Sequence, residues 1–205
     1  MQEEMKKENL QNQTEQKVTQ QKKKPNTLIV LCFSALFAAI IAVATAFIKV
    51  NTASDEGYLH FGDSMIYLAS CVLPLPYAML ASAIGGFLAD LIAGVPMWAP
   101  FTAIIKAFNA VPFALLYMSK GFRKKDKILS GATVGMSIAS GLVTVVGYFL
   151  ATWTLLSLES AMVGLPTCWV QPLGSAIVFY IVAAALDAAG FKKRVQGLLC
   201  KQKNK

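Results

Sequence analysis

The chain is poor in what soluble enzymes use. Its 205 residues include one histidine, His60, and only 15% are charged, against roughly a quarter in an average soluble domain. A lone imidazole excludes a histidine-rich metal centre. The four cysteines, Cys32, Cys71, Cys168 and Cys200, are far apart and form no CxxC pair, so neither zinc-ligand spacing nor a redox couple is present. There is no HExxH, no phosphate-binding lysine loop and no legible nucleophile–base pair. The expectation is a chain that is not an enzyme. It carries no metal and no covalently bound cofactor, and any ATP is hydrolysed by a partner.

Charge is also missing from long stretches. Thr27–Ile48 is a run of 22 residues without a single charge, and about 20 apolar residues suffice to cross a hydrocarbon core of roughly 30 Å. Further spans are predicted over about 60–74, 77–92, 100–117, 128–155 and 169–190. Pro74 and Pro76 break the chain between the second and third spans, because proline nitrogens donate no hydrogen bond. Gly94 and Pro96 break it after the third.

What charge there is lies in blocks. Seventeen of the nineteen Lys and Arg residues fall in 1–26, 120–127 and 192–205, outside the apolar runs. The formal charge of +8 therefore reads as membrane topology with basic segments inside, not as nucleic-acid binding. Six spans with both termini cytoplasmic satisfy every block. The expected fold is an all-α integral membrane bundle of six helices in the cell membrane. Residues 1–25 form a disordered polar tail, 26–191 the membrane domain and 192–205 a basic cytoplasmic tail, whose charge Asp187 is expected to pair.

Small residues recur at helical spacing. Ala35, Ala39 and Ala42 form a stripe on the first span, which serves either packing within the bundle or docking on another membrane protein. Gly131, Gly135 and Ala139 on the fifth span are expected to pack internally.

Polar groups at lipid depth are costly, so each is a functional candidate. Most fall toward the outer side: His60 and Asp63 at the start of span two, Asp90 near the end of span three, and Lys106 in span four. Thr102, Lys106, Asn109 and Phe113 stand at i, i+4, i+7 and i+11, on one helical face. Lys106 needs an anion, supplied either by Asp63 or Asp90 in a structural pair or shared with a bound substrate. Tyr148, Trp153 and Gln171 are the candidate opposite wall, with interfacial anchoring the competing role for the tryptophans.

Residues 57–109 read GYLHFGDSMIYLASCVLPLPYAMLASAIGGFLADLIAGVPMWAPFTAIIKAFN. The "FGD", "AIGGFLAD" and "WAPFTAIIKAFN" segments, with the alanine-rich first span, resemble the substrate-binding S components of energy-coupling factor (ECF) vitamin transporters, of the riboflavin type. The Gly-Pro-x-x-Gly turn of many relatives is replaced here by Pro74-Leu75-Pro76-Tyr77-Ala78. The resemblance implies capture of a small ring-containing vitamin or precursor (flavin, pyridoxine-like or pyrimidine) at the outer face. It also implies a transmembrane coupling subunit and two cytoplasmic ATPases as partners. By the same resemblance Ala35, Ala39 and Ala42 would dock the coupling subunit, and the loop holding Asn51, Tyr58 and His60 would gate the pocket. The alternative kept open is an autonomous secondary carrier.

Overall fold

A computed structural model describes residues 26–51 and 58–199. The expected N-terminal tail, the loop charges Asp55 and Glu56, and the chain beyond Leu199 lie outside the described residues.

Helix α1 (Thr27–Phe47) starts at Asn26, whose side chain accepts the Leu28 amide and so satisfies one orphan donor of the first turn. A two-stranded antiparallel hairpin follows, β1 (Lys49–Asn51) against β2 (Tyr58–His60), with Lys49 opposite His60. It is the one departure from helix among the described elements. Then come α2 (Gly62–Ser70), α3 (Leu75–Ile92), α4 (Ala99–Asn109), α5 (Val111–Met118), α6 (Lys120–Lys124), α7 (Gly131–Leu155), α8 (Leu158–Cys168), α9 (Val170–Ala188) and α10 (Phe191–Leu199).

Among the described residues, five helical stretches are long and apolar enough to cross a membrane: α1, α3, α4 with α5, α7 and α9. Their outward faces carry exposed Leu36, Ile84, Ile104, Ile138 and Ile177, as lipid contact requires. The predicted second span is different. Its helix α2 has nine residues, about 14 Å at 1.5 Å per residue, extended by a turn in which the Leu73 amide reaches the Ala69 carbonyl. Every α2 residue but Met65 is buried. The helix packs against α1, α3, α4, α5 and α9, so small and polar residues such as Gly62, Asp63, Ser64 and Ser70 are tolerated where lipid would exclude them.

The fourth span is interrupted at Ala110, between α4 and α5. Pro112 has no amide to donate, so the helix cannot run through without losing a bond. The Ser140 hydroxyl of α7 bonds the Asn109 carbonyl at 2.9 Å. Hydroxyls on neighbouring helices commonly satisfy backbone groups at such proline breaks.

Several expectations are corrected. The segment Glu159 to Thr167, left between the predicted spans 128–155 and 169–190, belongs to helix α8. The basic tail is not free from residue 192. Helix α10 packs Val195 and Leu199 into the apolar core, and the Asn26 amide bonds the Leu199 carbonyl at 2.8 Å. Asp187 accepts the amides of Ile128 and Leu129, at 2.6 and 2.9 Å, just ahead of the α7 N-terminus. Lys192 lies over the Phe122 ring, 3.4 Å from its centroid, and donates to the Phe122 and Lys127 carbonyls. Burial pulls this ammonium below the usual lysine range, opposed by Cys71, Asp187 and Asp126. The connection between α5 and α7 is thus stapled to the ends of α9 and α10.

The small-residue stripes also divide. Ala35 and Ala39 are exposed, but Ala42 is 4% exposed, because α2, α3 and β2 pack against α1. Ala42 therefore belongs to internal packing rather than to a free docking face. Gly131 and Gly135 are exposed, with nothing within 4 Å of a Cβ placed there. The α7 glycines in close contact are Gly141, against Pro172, and Gly147, against Ile105.

Candidate binding site

The face of α4 chosen from its spacing points inward: Thr102, Lys106 and Asn109 are buried, and so is Phe113 on α5. Lys106 Nζ donates to Asp63 Oδ1 at 2.5 Å, with both side chains fully buried. Gln171 Nε2 donates to the other oxygen, Asp63 Oδ2, at 2.9 Å. One carboxylate in the first turn of α2, where the helix dipole favours an anion, therefore ties α4 to α9.

The ammonium lies 5.2 Å from the Tyr148 ring centroid, within reach of a cation–π attraction. The Tyr148 hydroxyl stands 3.5 Å from Thr102 Oγ1, at the long limit for a hydrogen bond. Asn109 Nδ2 donates to Thr144 Oγ1 at 2.8 Å. Gly86 of α3 lies against the Lys106 stem, where a Cβ would come within 2.8 Å of Lys106 Cγ. Asp90, one turn further along α3, is 5% exposed.

Beneath Asn109 the site has an aromatic floor. Phe113 stacks on Tyr67 with centroids 4.7 Å apart, and Phe179 meets both edge-on at 5.2 and 5.7 Å. Beside the hairpin the Ser175 hydroxyl donates to the His60 carbonyl at 3.2 Å, joining α9 to it. His60 is 4% exposed. The hairpin backbone sets Asn51 opposite Tyr58.

The structure thus brings Lys106, Asp63, Gln171, Tyr148, Thr102 and Asn109 together, with Asp90 alongside. It does not bring Trp153. That side chain is 49% exposed and neighbours Phe149 at 6.4 Å. Five residues from Tyr148 is about 140° around a helix, so the two cannot share a wall. Trp153→Ala is expected to change ligand affinity by less than about threefold, and Tyr148→Leu to cost about tenfold. Ligand titration of the two purified variants checks both.

Thr144, Ser140 and Ser175 were not singled out from the sequence, although a signal existed. Thr133, Ser137, Ser140 and Thr144 recur on α7 at i, i+4, i+7 and i+11, and all four are buried. That is the spacing that exposed the α4 face.

Chemically the cluster offers donors from an ammonium, an amide and hydroxyls beside one aromatic face. Lysine has three donor hydrogens, and the Asp63 bond uses one. An uncharged ring with carbonyl or ring-nitrogen acceptors suits such a set.

A family model described as ECF-type riboflavin transporter, S component, matches residues 26–188, which include every helix from α1 to α9. Over 115 residues the chain is 34% identical to an uncharacterized protein in gap 3'region of Pyrococcus woesei. That alignment covers 56% of this chain and 72% of the relative.

Proposed function

The chain belongs to the family of ECF-type riboflavin transporter S components, and from that premise we propose that the cluster around Lys106 holds a small ring-containing vitamin or precursor on its way into the cell. The family is one of membrane-embedded transporter subunits, not enzymes. Its members capture a vitamin and associate with membrane and ATPase subunits. The candidate substrates are a flavin, a pyridoxine-like ring or a pyrimidine. The proposed partners are a transmembrane coupling subunit and two cytoplasmic ATPases that use ATP on its behalf.

One observation carries the reading: a fully buried ion pair, Lys106 with Asp63, flanked by Gln171, Tyr148 and Asn109. Burying two charges costs several kcal/mol per ion even after relaxation, and intramembrane charges of this kind mark substrate pathways. In the proposed topology α2 serves as a short sixth crossing, and the hairpin, α8 and the cluster face outward. The basic segment 120–127 and α10 then face the cytoplasm of a plasma-membrane protein with both termini inside. The hairpin residues Asn51, Tyr58 and His60 would form the rim of the entrance. The exposed alanines Ala35 and Ala39 would meet the coupling subunit.

The test is mass spectrometry of small molecules that co-purify with the full chain in mild detergent, followed by titration of the identified compound. A stoichiometric ring-containing vitamin, lost in Lys106→Ala, is the expected result. Vitamin binding unchanged in that variant would reject the site. Uptake by the chain alone in partner-free vesicles would reject the coupled mechanism.

A further inference from the structure

Asn109 is fully buried, and three of its polar groups can be followed. Its Nδ2 donates to Thr144 Oγ1 at 2.8 Å. Its main-chain carbonyl accepts the Ser140 hydroxyl at 2.9 Å. Its side-chain oxygen Oδ1 has no hydrogen-bond partner among the described residues. A buried acceptor left unpaired costs free energy, and native proteins leave few such atoms without a partner. Lys106, three residues earlier, lies on the same face and about 4.5 Å nearer the outer end.

Resting on the reading that the cluster binds a ring-containing vitamin, we infer that Asn109 Oδ1 accepts a ring N–H of the substrate and that Thr144 is the positioning residue that turns it to do so. Thr144 engages the amide nitrogen, which leaves the oxygen to face the ligand. The Ser140 bond holds the backbone of Asn109 at the proline break, so the amide is fixed at both ends. The Lys106 ammonium above it donates to an acceptor on the same ring edge.

An N–H beside a carbonyl is the edge of an imide or lactam. Among the three candidate classes, a flavin and an oxopyrimidine present it, whereas the ring nitrogen of a pyridoxine-like ring, even when protonated, has no carbonyl beside it. Specificity would then come from the cost of leaving Asn109 Oδ1 unpaired, and sites of this design reject analogues that lack the donor by large factors.

The experiment titrates the purified full chain with riboflavin, 3-methylriboflavin and pyridoxine. The methyl group replaces the imide hydrogen and keeps the rest of the ring. The wild-type chain is expected to prefer riboflavin to its 3-methyl derivative by at least about 100-fold. Asn109→Leu keeps the bulk but not the acceptor, and its preference should fall to within about tenfold. Thr144→Val preserves shape and removes the hydroxyl, so it should lose preference with only a modest fall in thermal midpoint. Thr144→Ser should restore it.

Equal binding of the two flavins, or a preference unchanged in both Asn109→Leu and Thr144→Val, overturns this inference alone. Binding of pyridoxine with neither flavin also overturns it and leaves the ring-vitamin reading standing. Binding of none of the three rings overturns both.

Discussion

Lys106→Met is expected to lower bundle stability by roughly 3–5 kcal/mol, the usual cost of removing one partner from a buried ion pair. For a chain of this size that is a fall of about 10 °C or more in Tm. Substrate binding should go with it. The loss alone would not distinguish a binding role from a structural one, because Asp63 would be left buried without its bonded cation, although Gln171 still donates to it. The charge-neutral double variant Asp63→Asn/Lys106→Met separates the two. It removes both buried charges and keeps the side-chain volumes similar, a change that is often neutral or stabilising. Thermal unfolding in detergent should show the double variant recovering most of the lost Tm. Ligand titration should show that binding does not recover. If affinity returned together with the fold, the ammonium would hold only the helices, and the site proposed around it would fail.

The fold was legible where lipid imposes one solution. An uncharged run such as Thr27–Ile48 must become a helix, since no other single-segment structure satisfies its backbone there. Contacts gather at two poles of the bundle. Asn26 meets Leu199, and Lys192 meets Phe122 and Lys127. His60 meets Ser175 at the other pole. Hydropathy is least informative at α2, because a helix surrounded by protein need not be long or apolar. It failed at α10, whose charged residues concealed the apolar pair Val195 and Leu199.

For the site, the 3.6-residue spacing of Thr102, Lys106 and Asn109 was sufficient, because one helix turns them all inward. The partner of Lys106 is a matter of tertiary distance. Asp63 and Asp90 were equal candidates from the sequence, and only the placement of α2 beside α4 separates them. Trp153 was misplaced because it was grouped with Tyr148 by chemistry rather than by angle. Asp187 was assigned to side-chain charges, and it acts on Lys192, but its hydrogen bonds come from the backbone amides of Ile128 and Leu129 just ahead of α7.

Glycines on α3 supply the second large effect, and neighbouring positions should fail in different ways. A Cβ on Gly85 would come within 2.8 Å of both the Ala38 carbonyl oxygen and the Ile41 side chain. A carbonyl in a helix cannot swing aside, so Gly85→Ala must push α1 and α3 apart. Helices in lipid associate through close packing rather than a hydrophobic drive, and overpacking of this kind costs about 2–3 kcal/mol. A Cβ on Gly86 meets the stem of Lys106 at 2.8 Å and Thr102 Cγ2 at 3.1 Å. The stem can bend, but its ammonium is held by Asp63, so Gly86→Ala should displace the cation and reduce binding more than stability. Gly135 of α7 has nothing within 4 Å, and alanine favours a helix over glycine by about 1 kcal/mol. Gly135→Ala should therefore match or exceed the wild-type Tm with binding intact. Measured together, Tm should fall in the order Gly135→Ala, Gly86→Ala, Gly85→Ala. The ratio of binding loss to stability loss should be largest for Gly86→Ala. A Gly85→Ala chain as stable as the Gly135→Ala chain would mean that α1 and α3 do not meet as closely as described, and the α3–α4 contact that aims Lys106 would lose its support.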